Sequence, residues 1–530
     1  MFLILSAAYI DQELKSEFGK IPPSFLPLGN RRLFEHQARI VPRGIPVYLS
    51  IPESYNVSKN DIELLEKLSV TLIRIPDGIS IGASVVAALN LSAHDLSEPL
   101  HILYGDTLFT ELPQGLDLIS VSAGEDSYNW AVVTSDELHW LQNKDTELGS
   151  DIKNIVCGYF KFSSPKDLIR SVTSCGWDFL GGLNLYHRQV GLEATYTEGW
   201  LDFGHVNTYY RSKVSYTTQR AFNELSINSK WIEKSSSKSQ KIAAESNWFV
   251  NLPTELKIFT PQYLGSEESN GRVTYRLEYL HQTALNELYV FGELSISVWE
   301  RILSACIDFL ETCSKYHASS EAVTNSASDL FARKTEARLG EFCSRNGISL
   351  DGEWIFNGSP PVSLRTILDE ASYYLPQDCN EFPHTILHGD FCFSNILYDF
   401  RAERIKTIDP RGALTAGEFS LFGDNRYDIA KLSHSIIGMY DLIIAGYYSV
   451  SITKSNIEFS IETSSTQILI QKHFVKLIKR VFNVNLSTLL AMQIHLFLSM
   501  LPLHDDDLTR QKALFANAFR LYLLLRGDEK

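Results

Sequence analysis

His388-Gly389-Asp390-Phe391-Cys392-Phe393-Ser394-Asn395, followed by Ile408-Asp409-Pro410-Arg411-Gly412, decides how the second half of this 530-residue chain is understood. Asp390 and Asn395 stand five residues apart, and Asp409 follows the strand-like run Ile405-Lys-Thr-Ile408. Phosphoryl transfer asks a protein for few groups: a carboxylate to receive the hydroxyl proton, side-chain oxygens to hold magnesium, and a cation on the phosphates. This stretch supplies Asp390 for the first and Asn395 and Asp409 for the second. Alone, His388-Gly-Asp390 reads as well as a turn before a helix. Asn395 and Asp409 at these spacings argue against that.

The combination resembles the HGDxxxxN loop and following metal-binding aspartate of the aminoglycoside phosphotransferase and choline kinase family, with the Asp-to-Asn spacing of a kinase catalytic loop. The resemblance covers about residues 213 to 530. It implies a bilobal protein-kinase-like fold with a mostly helical C-lobe, ATP as phosphoryl donor, Mg2+, and a small-molecule alcohol as acceptor. Asp424-Asn-Arg-Tyr-Asp428-Ile-Ala-Lys-Leu resembles the segment that braces the catalytic loop, a supporting role for Asp428 rather than a catalytic one. Upstream, the family needs a strand lysine for the phosphates and a helix glutamate to fix it. Lys234, in Trp231-Ile-Glu-Lys234, and Glu245, eleven residues later, are the candidates, with Lys238 or Lys241 as alternatives to Lys234. Leu277-Glu-Tyr-Leu280 is then the hinge strand, with Glu278 and Leu280 beside the adenine. No glycine-rich loop precedes Lys234, so Ser226, Asn228 or Ser229 would cover the phosphates. Asp-Pro-Arg-Gly in place of Asp-Phe-Gly, and the lack of an Ala-Pro-Glu segment, favour a small-molecule acceptor over a protein.

In the first part of the chain, short apolar runs such as Phe2-Leu-Ile-Leu5, Val47 to Ile51, Thr71 to Ile75 and His101 to Tyr104 alternate with helical stretches. That is the rhythm of an α/β sheet. Gly105, Gly158 and Gly204 close or follow such runs, where an open sheet gathers its ligands. Ser24-Phe-Leu-Pro-Leu-Gly-Asn-Arg-Arg-Leu-Phe-Glu-His-Gln37, Ile102-Leu-Tyr-Gly-Asp106 and Gly199-Trp-Leu-Asp202-Phe-Gly-His-Val-Asn-Thr-Tyr209 resemble segments of sugar-phosphate and choline-phosphate nucleotidyltransferases. The resemblance implies a Rossmann-like (GT-A type) domain in which Asp106 and Asp202 hold magnesium. Pro76-Asp-Gly-Ile-Ser-Ile-Gly82 lies where the family binds base and substrate, which makes Gly82 a cofactor-binding candidate. The family's glycine-rich triphosphate loop, with its arginine and lysine, is replaced by Ala7-Ala8-Tyr9-Ile-Asp-Gln-Glu-Leu-Lys15, and Pro23-Ser24 stands in place of Lys-Pro. Lys15, Lys20, Arg31 or Arg32 would have to supply the missing charge.

Composition sets the limits. Apolar residues at 44% and charged residues at 21% suit a chain folded throughout. A net charge of -15 opposes a broad nucleic-acid or anionic-membrane surface. The seven cysteines include no CxxC pair and read as buried thiols in a reducing cytoplasm. The opening Met1 to Ile10 has no basic n-region and reads as a first strand. Leu489 to Leu503 is too short to span a bilayer, so no membrane span is expected. Leu501-Pro-Leu-His504-Asp-Asp-Asp507 reads as a helix cap, and Trp130 or Tyr186 as pocket linings.

The expected organisation is an α/β chain of three parts: a nucleotidyltransferase-like domain over 1–212, a kinase-like N-lobe over 213–290 and a helical C-lobe over 291–530. The expected function is bifunctional. The second domain phosphorylates a sugar, polyol or amino alcohol with ATP, and the first transfers an NMP from an NTP, CTP or UTP, onto that phosphate to make a nucleotide-activated precursor for surface polysaccharide. The alternatives are an active kinase with a first domain that only binds nucleotide or a partner protein, and a protein kinase. An oligomer is compatible with the sequence.

Overall fold

The computed structural model describes residues 1–92, 95–124, 130–136, 139–143, 153–220, 225–228, 230–236, 239–269, 271–319, 329–376, 384–413 and 417–527. The chain folds into two compact units, Met1–Tyr216 with Phe291–Glu293, and Thr217–Val290 with Leu294–Lys530.

The first unit is built on strands β1 (Phe2–Leu5), β2 (Val47–Pro52), β3 (Val70–Ile75), β4 (Leu100–Tyr104), β5 (Thr107–Phe109), β6 (Leu118–Gly124), β7 (Ala131–Val133), β8 (Leu141–Asn143), β9 (Lys153–Phe162), β10 (Glu193–Tyr196) and β11 (Trp200–Asp202). The main sheet runs β10-β6-β9-β4-β1-β2-β3, with β7 and β8 added beside β9. Its β1, β2, β3 and β4 are parallel, and β9 alone opposes β4 and β6. Phe2, Leu3 and Ile4 are wholly inaccessible, as a central parallel strand covered on both faces requires. Val85, Val86 and Leu89 of helix Ile81–Leu91 and Leu168 and Val172 of helix Pro165–Ser174 join Ile102, Ile119 and Phe160 in one core. The β5–β11 ribbon is separate and antiparallel, with Asp202 opposite Thr107.

The second unit opens with the antiparallel sheet β12 (Leu225–Ile227), β13 (Trp231–Ser235), β15 (Arg272–Glu278) and β14 (Tyr263–Ser269), in that spatial order. Helix Ser239–Asn251 covers it and buries Ile242, Ala244 and Trp248. The rest is dominated by helices, among them Ile296–Ser314, Lys334–Asn346, Arg426–Ile436, Ser465–Phe482, Leu486–Met500 and Leu508–Arg526. The fold class implied by the sequence is therefore present: a Rossmann-like α/β unit followed by a bilobal unit with a small sheet and a mainly helical lobe. Two features were not foreseen. Helix Val206–Arg220 runs through the expected 212/213 boundary. The helical lobe also carries a four-stranded sheet from Glu353–Phe356, Val362–Ser363, Ser449–Thr453 and Asn456–Ser460.

Among the described residues, the stretch long and apolar enough to cross a membrane is Leu486–His504, and 67% of that window is buried within the fold. Asp507 caps helix Leu508–Arg526, accepting the N–H groups of Thr509 and Arg510, each at 3.0 Å. Losing such a cap costs about 1 kcal/mol. Asp507→Ala should lower the stability of the second unit by that amount in denaturant melts, and Asp507→Asn by less.

Candidate active sites

In the second unit the backbone brings the sequence motif together. The loop carrying Asp390 ends in the short 3-10 turn Phe393–Asn395 and continues into strand Ile396–Asp399, which pairs with Arg404–Thr407 in antiparallel register. That hairpin returns the chain so that Ile408 donates its N–H to the Asn395 carbonyl at 3.0 Å, placing Asp409 beside Asn395. Gly389 lies at φ +80, and a Cβ there would come within 2.6 Å of the Arg411 Cβ. Gly412 lies at φ +64, with room for a Cβ only 2.1 Å from the Ala244 carbonyl oxygen. Both positions are closed to larger residues. Asp428 is buried and receives the N–H groups of His388 at 2.7 Å and Gly389 at 2.8 Å, so it holds the loop from beneath.

Lys234 lies on β13 opposite Tyr275 of β15. Its ammonium sits 2.8 Å from Glu245 Oε2 and 3.0 Å from Asp409 Oδ1. Glu245 is buried on helix Ser239–Asn251 and also accepts the Tyr275 hydroxyl at 2.7 Å. Burial opposes the charge on Lys234, but Asp409 and Glu245 outweigh it and raise its pKa. Of the alternatives, Lys241 reaches only the far oxygen of Glu245 at 3.7 Å, and Lys238 lies outside the described residues.

Asp390 opens onto a cavity of 960 Å³ that also exposes Asn395, Asp409 and Glu245. Its Oδ1 meets the Lys431 ammonium at 2.7 Å. Burial works against the Asp390 charge, yet Lys431 prevails and brings the carboxyl down to about 2. Asn395 donates its amide to the Asp390 backbone oxygen at 2.9 Å and to Oδ2 at 3.0 Å, so its own oxygen, which accepts the Ser394 hydroxyl at a long 3.5 Å, keeps a lone pair for a cation. Asp409 adopts φ +57, a strained conformation for a non-glycine residue. Two oxygens on adjacent loops suit magnesium, which keeps most of its shell for water and phosphate. Among the described residues there is no group of three or more His, Cys, Asp or Glu side chains that would cage a metal unaided.

The residues expected to cover the nucleotide and to form the hinge lie elsewhere. Asn228 Oδ1 accepts the N–H groups of Lys230 at 2.8 Å and Trp231 at 2.9 Å, closing the β12–β13 turn. Ser226 is exposed beside it, and Ser229 lies outside the described residues. Neither Glu278 nor Leu280 lines the 960 Å³ cavity. Glu278 ends β15 and accepts the Gln262 N–H at 3.2 Å, and the Leu280 N–H has no hydrogen-bond acceptor among the described residues.

In the first unit, Asp106 sits in the turn between β4 and β5, and Asp202 ends β11 opposite Thr107. Both line a cavity of 430 Å³, with Trp130, Trp177, Trp200 and His205. Desolvation, and then the Asp106 charge, push Asp202 up to about 7, and desolvation raises Asp106 as well. Asp202 Oδ2 is buried without a hydrogen-bond partner among the described residues. Gly204 keeps the space open: a Cβ there would lie 2.8 Å from Asp106 Oδ2. Two crowded carboxylates with an orphaned oxygen fit a divalent cation.

Several expectations are corrected. Gly82 is buried inside helix Ile81–Leu91, where a Cβ would come within 2.4 Å of the Trp177 carbonyl oxygen. It serves helix packing, and the loop instead offers Ile79, Ser80 and Ile81 to the cavities. Arg31 pairs with Glu35 at 2.7 Å, and buried Arg32 makes a forked pair with Asp61 at 3.0 and 2.9 Å. Lys20 lies 4.1 Å from the centre of the Tyr9 ring. None of these, nor Lys15, lines the 430 Å³ cavity or the adjoining 170 Å³ cavity at the β1 loop. Tyr186 is in the core, donating to Asp117 at 2.6 Å. Trp177 and Trp200 were missed because isolated tryptophans carry no spacing signal.

No protein-family model matches the chain, and no curated protein matches it. Solved structures similar to it fall into two groups. A nucleoside-diphosphate-sugar pyrophosphorylase from Vibrio cholerae is 16% identical, with a TM-score of 0.33, over 40% of this chain and 99% of that one. The inositol-1-phosphate CTP transferase from T. maritima is 15% identical, with a TM-score of 0.30, over 39% and 90%. A thermostable mutant of aminoglycoside phosphotransferase APH(4)-Ia is 13% identical, with a TM-score of 0.37, over 59% of this chain and 98% of that one.

The packing role of Gly82 has a direct consequence. Overpacking of this kind costs about 1–3 kcal/mol, so Gly82→Val should lower the melting temperature of the first unit by several degrees. A change in nucleotide affinity at unchanged stability would return Gly82 to the binding set.

Proposed function

We propose that the second unit transfers the γ-phosphoryl group of ATP to a hydroxyl of a small molecule, and that the first unit transfers an NMP from an NTP to the resulting phosphate. The observation that carries the kinase reading is the Lys234 ammonium bridging Glu245 and Asp409, two carboxylates that line the same cleft as Asp390 and Asn395. Asp390 orients the acceptor hydroxyl and takes its proton as the oxygen bonds to phosphorus and ADP departs. A loose transition state needs alignment more than a strong base, which suits a carboxyl held at about 2. Lys234 steadies the donor phosphates. Magnesium held by Asn395 and Asp409 would neutralise charge developing on the phosphate oxygens.

In the first unit, Asp106 and Asp202 would hold the magnesium that offsets repulsion between a phosphate nucleophile and an NTP. CTP or UTP is the expected donor, and the product would be an activated sugar, polyol or amino alcohol of the kind consumed in surface polysaccharide assembly. The six described cysteines are all unpaired, in keeping with a reducing, cytoplasmic setting.

A second reading of the first unit is favoured by one observation. Among the described residues no Lys or Arg lines the 430 Å³ or the 170 Å³ cavity, whereas a triphosphate calls for cations or a nest of N–H groups. On that reading the first unit binds a nucleotide without turning it over.

ATP consumption with sugars, polyols, glycerate, choline and ethanolamine should appear in the wild type and fall about 10²–10⁴-fold in Asp390→Asn. Unchanged turnover in the variant would remove Asp390 from the mechanism. Pyrophosphate release from CTP or UTP with the phosphorylated product should vanish in Asp106→Asn; no release from the wild type with any NTP would leave the second reading.

A further inference from the structure

The kinase cleft holds more positive charge than its catalytic groups use. Asp390 is paired with Lys431, and Asp409 and Glu245 share Lys234. Lys334, Arg338 and Arg411 line the same cavity, and none of them has a carboxylate within 4 Å among the described residues. Lys334 and Arg338 lie one turn apart on helix Lys334–Asn346, so they share a face. The Lys334 ammonium donates to the Tyr427 hydroxyl at 3.0 Å, and the Arg411 guanidinium lies 5.7 Å from the centre of the Tyr427 ring. The bond Arg338 does make, to the Ser499 carbonyl, is long at 3.4 Å.

Tyr427 registers the surplus. It is 2% exposed, and burial opposes ionisation of its phenol. Arg411, Lys334 and Lys431 outweigh burial and bring it down to about 7. Lys334 and Arg411 meet at this phenol and Arg338 lies one turn from Lys334; with no carboxylate within 4 Å of these three half-buried cations among the described residues, they form an unsatisfied anion site. Leu496, Met500 and Leu503 complete this part of the wall and offer apolar surface to a carbon skeleton.

We infer that the acceptor of the kinase unit carries an anionic group, carboxylate or phosphate, which Lys334, Arg338 and Arg411 hold while Asp390 addresses its hydroxyl. This rests on the kinase reading above and narrows its acceptor class: cationic amino alcohols are repelled by the cleft, and neutral sugars and polyols leave its cations unmatched. Guanidinium and ammonium groups recognise carboxylate and phosphate through charge-assisted hydrogen bonds.

Matched compounds test it: glycerol, glycerate and glycerol 3-phosphate, and glucose, gluconate and glucose 6-phosphate. ATP consumption by the wild type should favour an anionic member over its neutral partner by at least about tenfold in kcat/KM, equivalent to about 1.4 kcal/mol. The carboxylate and phosphate arms show which anion is preferred. Arg338→Gln, and the double variant Lys334→Gln/Arg338→Gln, should raise the acceptor KM about tenfold or more, with the KM for ATP nearly unchanged and the melting temperature preserved. Neutral compounds used as well as anionic ones, or a shift in the KM for ATP in place of the acceptor's, would overturn the inference. Calorimetry on Asp390→Asn separates this from failure of the kinase reading. Anion binding that is lost in the Arg338→Gln background supports the site even if no alcohol is phosphorylated. Absence of anion binding by any of the four acids overturns it.

Discussion

The site proposed for phosphoryl transfer depends on one ammonium group shared by two carboxylates. Lys234 comes from the small sheet, Glu245 from the helix that covers it and Asp409 from the loop that follows the catalytic hairpin. Two neighbouring segments and a third about 160 residues further on are thereby tied at one point. Buried Glu245 would be costly without its cation, and the Tyr275 hydroxyl locks its orientation. Asp428 does the same for the other half of the cleft, exchanging a buried charge for two loop N–H groups. The Asp390 carboxylate is thus carried by a loop whose ends are both fixed.

The first unit places its charges by the opposite device. His205 only partly offsets the Asp106 and Asp202 charges, where Lys431 prevails over burial at Asp390. The antiparallel β5–β11 ribbon brings them together; desolvation raises both, and the Asp106 charge raises Asp202 further. Such a pair gains most from a doubly charged cation. Its tryptophan-rich wall and, among the described residues, its lack of Lys or Arg distinguish it from the basic cleft of the second unit.

Much of this was legible in the sequence where chemistry fixes spacing. Asp390, Asn395 and Asp409 were readable because one loop and one hairpin hold them together, and the first buried strand because the apolar run Phe2-Leu-Ile-Leu5 suits two covered faces. Lys234 was harder to choose, since Lys238 and Lys241 stand nearby; strand register, which puts it opposite Tyr275, is set only by tertiary pairing. Gly82 was misread because a glycine needed for helix packing and one needed for ligand approach look alike in a single chain. Arg31 and Arg32 were misread for a similar reason: their partners Glu35 and Asp61 are specified by the fold. The cationic wall was not legible, because no local pattern connects Arg411 to the helix that carries Lys334 and Arg338.

The most direct measurement is an anomalous difference map from crystals grown with manganese and a non-hydrolysable ATP analogue. The account predicts metal density between the Asn395 amide oxygen and the Asp409 carboxylate, with the phosphates against Lys234. Nucleotide bound elsewhere, or metal density away from both side chains, would contradict it.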